Sequence, residues 1–239
     1  VDEHFLKASV VEQLNDVSTL GEQKRALVLR SEQVLATETA LTGGKGSSLA
    51  ILNAIEAVAV PCFFCVTTVA FREHFQSDAG HDMLETLQNL TDQFGESCAS
   101  PDKLETEKQS ELMAIFKHAA LLRHHVETSP LQPLAEEAIK TSYAELGSEV
   151  AVAVRSSATT EDTKDASFAG QHDTFLNQRG EQDVLDSVRK CWASIFTDRA
   201  VEYRGRNKVP HRDAVMSVVV QTMVDPNVAG TSFSVELST

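Results

Sequence analysis

The sequence predicts a mixed α+β fold. Three observations lead there. Val150-Ala151-Val152-Ala153-Val154 is a buried-strand run. Ala214–Val224 is a second apolar run, and a turn at Asp225-Pro226-Asn227 offers it a hairpin partner at Gly230–Leu237. Residues 77–148 read as largely helical, so helices and strands do not simply alternate.

Taken in order, residues 1–39 are polar, with Leu20, Leu27, Val28 and Val34 spaced for one face of a helix. They form a helical lead-in to a domain expected over 40–239. Thr42-Gly43-Gly44-Lys45-Gly46-Ser47-Ser48 is the first strong punctuation. It reads as a glycine loop opening a helix at about Ser47, continued by Leu49, Ala50, Ile51, Leu52 and Ile55. Val58–Val60 and Phe63–Val66 read as short strands. Thr67-Thr68 caps a helix through Phe75. Helical breaks are expected near Gly95–Pro101 and Ser129–Pro133. Thr174-Phe175-Leu176 reads as a strand. Glu181–Tyr203 reads as one helix with Val184, Val188, Cys191, Trp192 and Ile195 on one side. No repeat or low-complexity tract interrupts this order.

Composition excludes several classes. The chain has 239 residues and a formal net charge of −14. No basic surplus exists to neutralise a nucleic acid or an anionic membrane, although two or three local cations can still hold a small phosphate. The longest apolar stretch, Ala57–Phe71, is broken by Pro61 and is too short to span a bilayer. Cys62, Cys65, Cys98 and Cys191 are too few and scattered for a disulfide scaffold. The Cys62-x-x-Cys65 spacing lacks a second ligand pair, and its apolar surroundings favour buried thiols over a redox pair. Free thiols and no signal-peptide pattern among the first residues lead to an expectation of a cytoplasmic setting. The chain begins at Val1 and stops at Thr239 directly after a strand-like run, so a longer parent protein is expected. A chain ending there is expected to leave an unpaired strand edge and to be poorly stable.

Several segments can carry chemistry. In Gly43-Gly44-Lys45-Gly46, glycines let backbone approach a ligand, a helix start offers N–H groups, and Lys45 supplies a charge for phosphate. Lys45 is followed by Gly46 rather than Ser or Thr, so this is not a Walker A loop. Leu49 at the third glycine position excludes the dinucleotide fingerprint. A plain helix-start turn remains the alternative. Arg155, at the end of a buried strand and followed by Ser156-Ser157-Ala158-Thr159, suits an anion at a sheet edge or a structural salt bridge. Ser167-Phe168-Ala169-Gly170-Gln171-His172-Asp173 is a small-residue loop able to fold over a triphosphate, or a hairpin turn. Gln221-Thr222-Met223-Val224 ends a strand whose backbone can meet an adenine edge, or is simply central sheet. His124-His125 and His211 read as surface residues.

Four motifs together resemble the N-terminal ATP-grasp nucleotide-binding domain of phosphoenolpyruvate synthase and its relatives, among them pyruvate phosphate dikinase, rifampicin phosphotransferase and the glucan water dikinases. They are Gly43–Ala50; Val60-Pro61 through Phe71; Val152–Asp162 running on through Ala166–Asn177; and Ala193–Ala200 leading to Val220–Val224 and Gly230–Ser234. The resemblance implies a two-lobed α+β domain with ATP between the lobes. It implies that Lys45 and Arg155 contact the phosphates as catalytic cations, beside Gly44 and Gly46. Ser167, Gly170 and Gln171 would belong to a mobile lid, and Gln221, Met223 and Val224 to the adenine hinge. ATP would pass its β-phosphate to a histidine on a separate swivelling domain, and from there to a small-molecule acceptor. Mg2+ ligands, a Gln-x-Arg motif and the acceptor domain are expected beyond residue 239, so this chain alone is expected to be inactive. Pro61-Cys62-Phe63-Phe64 departs from the family's Pro-Pro-Gly-Phe. A non-catalytic nucleotide-binding remnant and a rifampicin-phosphotransferase-like enzyme are the alternatives.

Overall fold

A computed structural model describes residues 21–75, 78–99, 104–159, 162–163, 166–167 and 173–230. Among the described residues, five strands form one antiparallel sheet in the order β1-β2-β7-β3-β6. They are β1 (Val28–Arg30), β2 (Phe63–Val66), β3 (Val152–Ala158), β6 (Thr174–Gln178) and β7 (Met216–Thr222). A separate two-stranded pair joins β4 (Asp162–Thr163) to β5 (Ala166–Ser167). The helices are α1 (Thr39–Asn53), α2 (Thr68–His74), α3 (Asp78–Ala99), α4 (Glu105–Thr128), α5 (Pro133–Leu146), α6 (Glu181–Ala193) and α7 (Asp198–Arg206). This is the mixed α+β class the sequence predicts. Among the described residues, no helix is long and apolar enough to cross a membrane.

The sheet is covered on both faces, which explains the unbroken valine runs. Val152, Val154, Val218, Val220, Phe64 and Val66 point into the larger core, with Trp192, Leu122 and Ile139 from the helices. Leu29, Phe63, Cys65 and Val219 point the other way, against Ala50 of α1, Ala54 just after it, Leu35 and Ala36. Strands β2 and β7 therefore serve two cores in alternation. Tyr143 ties helix α5 to the sheet and to α6. Its hydroxyl donates to Val150 O (2.9 Å) and accepts from Gly180 N (2.8 Å), joining the entrances of β3 and α6.

Several local expectations change. Val28–Arg30 is a strand, not helix, and ties residues ahead of 40 into the sheet. Arg30 fixes it further with a two-pronged ion pair to Glu145 of α5. Val58–Val60 is irregular, because Pro61 lacks the N–H that a ladder needs. Helix α1 begins at Thr39, earlier than the glycine loop, and breaks at Gly43. The helix expected over Glu181–Tyr203 is two helices, separated by a 3-10 turn at Ser194–Phe196. Thr197 starts the second by accepting from Ala200 N (3.4 Å). The Thr67 cap is present, accepting from Ala70 N. The hairpin partner expected at Gly230–Leu237 lies, after Gly230, outside the described residues.

His211 is buried rather than on the surface, at 1% exposure. Its Nδ1 accepts from Arg204 Nε (3.0 Å), and its Nε2 lies 2.9 Å from Thr91 Oγ1. Burial, with the Arg204 charge, lowers its pKa to about 3. Burial likewise lowers His74, packed on Trp192, to about 4. The unfolded chain takes up a proton at each site near pH 6.5, whereas the folded chain does not. Stability is therefore full above that pH and falls as pH drops, by roughly 1.4 kcal/mol per unit for each histidine. Urea midpoints should fall steadily from pH 7 to pH 5. A flat profile over that window contradicts the neutral burial of both rings.

Gly43 is the most tightly packed of the described glycines. It has φ +68°, and a Cβ there would meet the Ser157 carbonyl oxygen at 2.0 Å. Gly43→Ala should cost roughly 3 kcal/mol or more, from positive-φ strain and collision with backbone. Gly95 in α3 has no atom within 4 Å of such a Cβ, so Gly95→Ala should be neutral or mildly stabilising in the same denaturation series.

Candidate functional site

The glycine segment of α1 lies directly on β3. Breaking a helix at Gly43 orphans a carbonyl on one side and an N–H on the other. One side chain answers both. Ser157 Oγ donates to Thr42 O (2.7 Å) and accepts from Gly46 N (3.0 Å). The break is thus stapled to the sheet by a serine 111 residues away. Gly46 also serves packing: a Cβ there would lie 2.9 Å from Thr42 Cβ and 3.0 Å from Cys65 Sγ. Gly43 and Gly46 therefore let helix approach sheet, where the sequence suggested backbone approaching a ligand. Gly46 N–H is committed to Ser157.

That contact brings the predicted cations to one region. Lys45 and Gly44 are half-buried in the turn after the break. Arg155, half-buried, is two residues before Ser157 and on the same face of β3. Its one side-chain hydrogen bond among the described residues is long, from Nη1 to Gln221 Oε1 at 3.5 Å. Gln221 lies beside it because β7 pairs Gln221 with Ala153 and Val219 with Arg155. Gln221 is buried, and its amide nitrogen donates to Pro61 O (3.4 Å). So Gln221 carries a side-chain role that the sequence, which offered its backbone, did not foresee.

The remaining expected positions divide. Met223 is half-buried, and its N–H donates to Ala151 O (2.9 Å), so that donor is spent on the sheet. Val224 is 58% exposed. Ser167 falls in the short β4–β5 pair. Gly170 and Gln171 lie outside the described residues, as does His172. Asp173 marks where that segment rejoins the sheet. Its carbonyl accepts from Ser156 N (3.3 Å) and Ser156 Oγ (3.0 Å). Burial pushes the Cys191 thiol far up; Asp173 adds to the rise and the nearby Lys45 charge opposes it. Lys45 and Asp173 thus both act near Cys191, at the root of the 168–172 segment.

Sequence reasoning missed two residues here. Ser157 was visible only as part of a hydroxyl run; no local signal names it as the partner of a helix break. Ser217, paired with Ser157 across β3 and β7, is fully buried and its hydroxyl lacks a partner among the described residues. The cysteine pair separates. Cys65 is buried and its thiol pushed up to about 12, whereas Cys62 is exposed. Both are free thiols. Among the described residues, no three His, Cys, Asp or Glu side chains could hold a metal ion.

The fold and this geometry define an α+β domain with two half-buried cations gathered where a glycine-broken helix meets a sheet. The chain belongs to the pyruvate phosphate dikinase AMP/ATP-binding domain family, whose model matches residues 39–239. It is 41% identical over 210 residues to a rifampicin phosphotransferase of Streptomyces sp, covering 88% of this chain and 22% of that protein. It is 38% identical over 211 residues to the rifampicin phosphotransferase of Bacillus subtilis, covering the same shares, 88% and 22%. A probable phosphoenolpyruvate synthase of Staphylothermus marinus is 35% identical over 226 residues, covering 91% of this chain and 25% of that protein. The chain thus spans about a quarter or less of the length of these relatives.

Removing the Ser157 hydroxyl leaves Thr42 O and Gly46 N unsatisfied in a buried place. Ser157→Ala should cost about 2–4 kcal/mol in urea denaturation, the sum of two such orphans. Ser156→Ala, which forfeits only the bond to Asp173 O, should cost about 1 kcal/mol. Equal losses would show that the helix break does not depend on Ser157.

Proposed function

We propose that this chain is the ATP-binding part of a dikinase-type phosphotransferase with an ATP-grasp arrangement of two lobes. The observation that carries the reading is Arg155: a half-buried guanidinium with one long bond, on the sheet face that α1 covers near Lys45. A cation so placed has hydrogen-bonding capacity for an anionic ligand, and the family is one of AMP/ATP-binding domains. Lys45 and Arg155 bind phosphate oxygens and offset the charge that builds on a transferring phosphoryl group. Gly44 approaches the phosphates through its backbone. Gln221 holds the Arg155 guanidinium toward them. Ser167, Gly170 and Gln171 close over the triphosphate and exclude water, and Met223–Val224 border the adenine. Gly46 and Gly43 hold the helix in place for this.

Acting in a longer protein, the reaction would be ATP plus acceptor to AMP, phosphorylated acceptor and phosphate, through a phosphohistidine on a swivelling domain. The acceptor is a small molecule, as in phosphoenolpyruvate synthase or in a rifampicin phosphotransferase; relatives of both names match this chain. Mg2+ would neutralise phosphate charge when bound. The described residues offer no ligand cluster for it, so no step is assigned to it. A cytoplasmic setting suits an ATP-dependent reaction.

Calorimetric titration of the chain with ATP tests the reading. Lys45→Ala and Arg155→Ala should each weaken ATP at least tenfold while leaving the melting temperature of the ligand-free protein within a few degrees. Wild-type affinity in both variants would overturn the assignment.

A further inference from the structure

A second cationic site lies in the helical layer on the opposite side of the sheet. A cavity of about 640 Å3 opens between α3, α7 and the 3-10 turn at His211–Asp213. Arg204, Lys208 and Arg212 line it. The chain is strongly acidic, yet five of its 21 basic residues (Arg199, Arg204, Arg206, Lys208, Arg212) fall between positions 199 and 212. Arg204 is the most telling of them. It is 2% exposed, and no carboxylate among the described residues lies within ion-pairing distance. Its Nε donates to His211 Nδ1 (3.0 Å) and its Nη2 to Ile195 O (2.5 Å). Nη1 has no protein partner among the described residues. Burial lowers the guanidinium to about 10, so it stays charged near neutral pH. A buried charge met only by neutral acceptors is costly, and an anion in the cavity would relieve that cost.

The surroundings support a small anion. His211 is neutral and donates nothing toward Arg204, so the arginine alone is charged in that buried pair. Lys208 holds φ +55°, a left-handed position after α7 that favours glycine, yet a lysine stands there beside the cavity. Asp92 and Glu96 also line the cavity and disfavour a polyanion; Asp92 is bonded to the Gln88 amide (2.9 Å). An adjoining cavity of about 400 Å3 shares Thr91, Gly95, Gly205 and Lys208 with the first and is walled by Phe94, Leu112, Ile115 and Val201. We propose that the α3–α7 cavity binds a ligand with a single oxyanion head, phosphate or carboxylate, seated on Arg204 between Lys208 and Arg212. It is separate from the Lys45–Arg155 region and does not depend on it.

The test tracks the Arg204 Nε–Hε proton resonance and the melting temperature at constant ionic strength. Inorganic phosphate and octanoate are titrated separately against a chloride control. A saturable shift with either, at millimolar concentration, is expected. Saturation with phosphate alone identifies a phosphate head; saturation with octanoate alone identifies a carboxylate whose apolar body enters the adjoining cavity. The double variant Lys208→Gln/Arg212→Gln, altered only at exposed positions, should bind at least tenfold more weakly. The Lys45→Ala/Arg155→Ala variant should bind as the wild type does. The proposal is overturned by shifts that do not saturate, by unchanged affinity in the Lys208/Arg212 variant, or by loss of the effect in the Lys45/Arg155 variant.

Discussion

The Ser157 hydroxyl is the joint on which this structure turns. A helix that breaks inside a protein leaves a donor and an acceptor that water cannot reach. Here one oxygen satisfies both, and it belongs to the central part of the sheet. The consequence is positional. Lys45 follows the break by two residues and Arg155 precedes the serine by two, so the staple fixes the register of one cation against the other. Gly43 allows the approach, because any side chain there would collide with the strand backbone.

The same sheet has two unequal faces. Its larger core faces the helical layer, where Trp192, Tyr143, Leu122 and Ile139 are fully buried or nearly so. Its other face carries a smaller apolar cluster, then a polar row: Arg155 and Ser157 on β3, Ser217 and Gln221 on β7. A polar row on a sheet face covered by a helix is expensive unless its groups are partnered or meet a ligand. Ser157 and Gln221 are partnered. Arg155 is barely so, and that imbalance underlies the nucleotide reading. Arg204 presents the same imbalance in the helical layer.

Much of this was legible in the sequence. Strands β2, β3 and β7 announce themselves through runs of Val, Phe and Cys, because both sheet faces are buried. Thr67 reads as a cap from its type and place alone. What escaped is set by distant contacts. Three residues are too few to show alternation, so β1 passes for part of a helical pattern until β2 pairs with it. His211 follows a proline in a polar stretch and looks exposed; Arg204, seven residues earlier, and Thr91 of α3 bury it. The glycines at 43 and 46 are identical in sequence terms to glycines that admit a phosphate. Only the positions of β3, against Gly43, and of β2, against Gly46, show that they admit strands. The packing role of each glycine needed the tertiary contact.

The claim that organises these observations is that nucleotide binds on the α1 face of the sheet, beside the Ser157 staple. Amide chemical-shift mapping with a non-hydrolysable ATP analogue tests it most directly. Shifts should concentrate on Gly44, Lys45, Arg155, Gln221 and the residues from 167 to 173, with the α3–α7 cavity unchanged. Shifts centred on Arg204 and Lys208 instead, with Lys45 and Arg155 silent, would contradict the account.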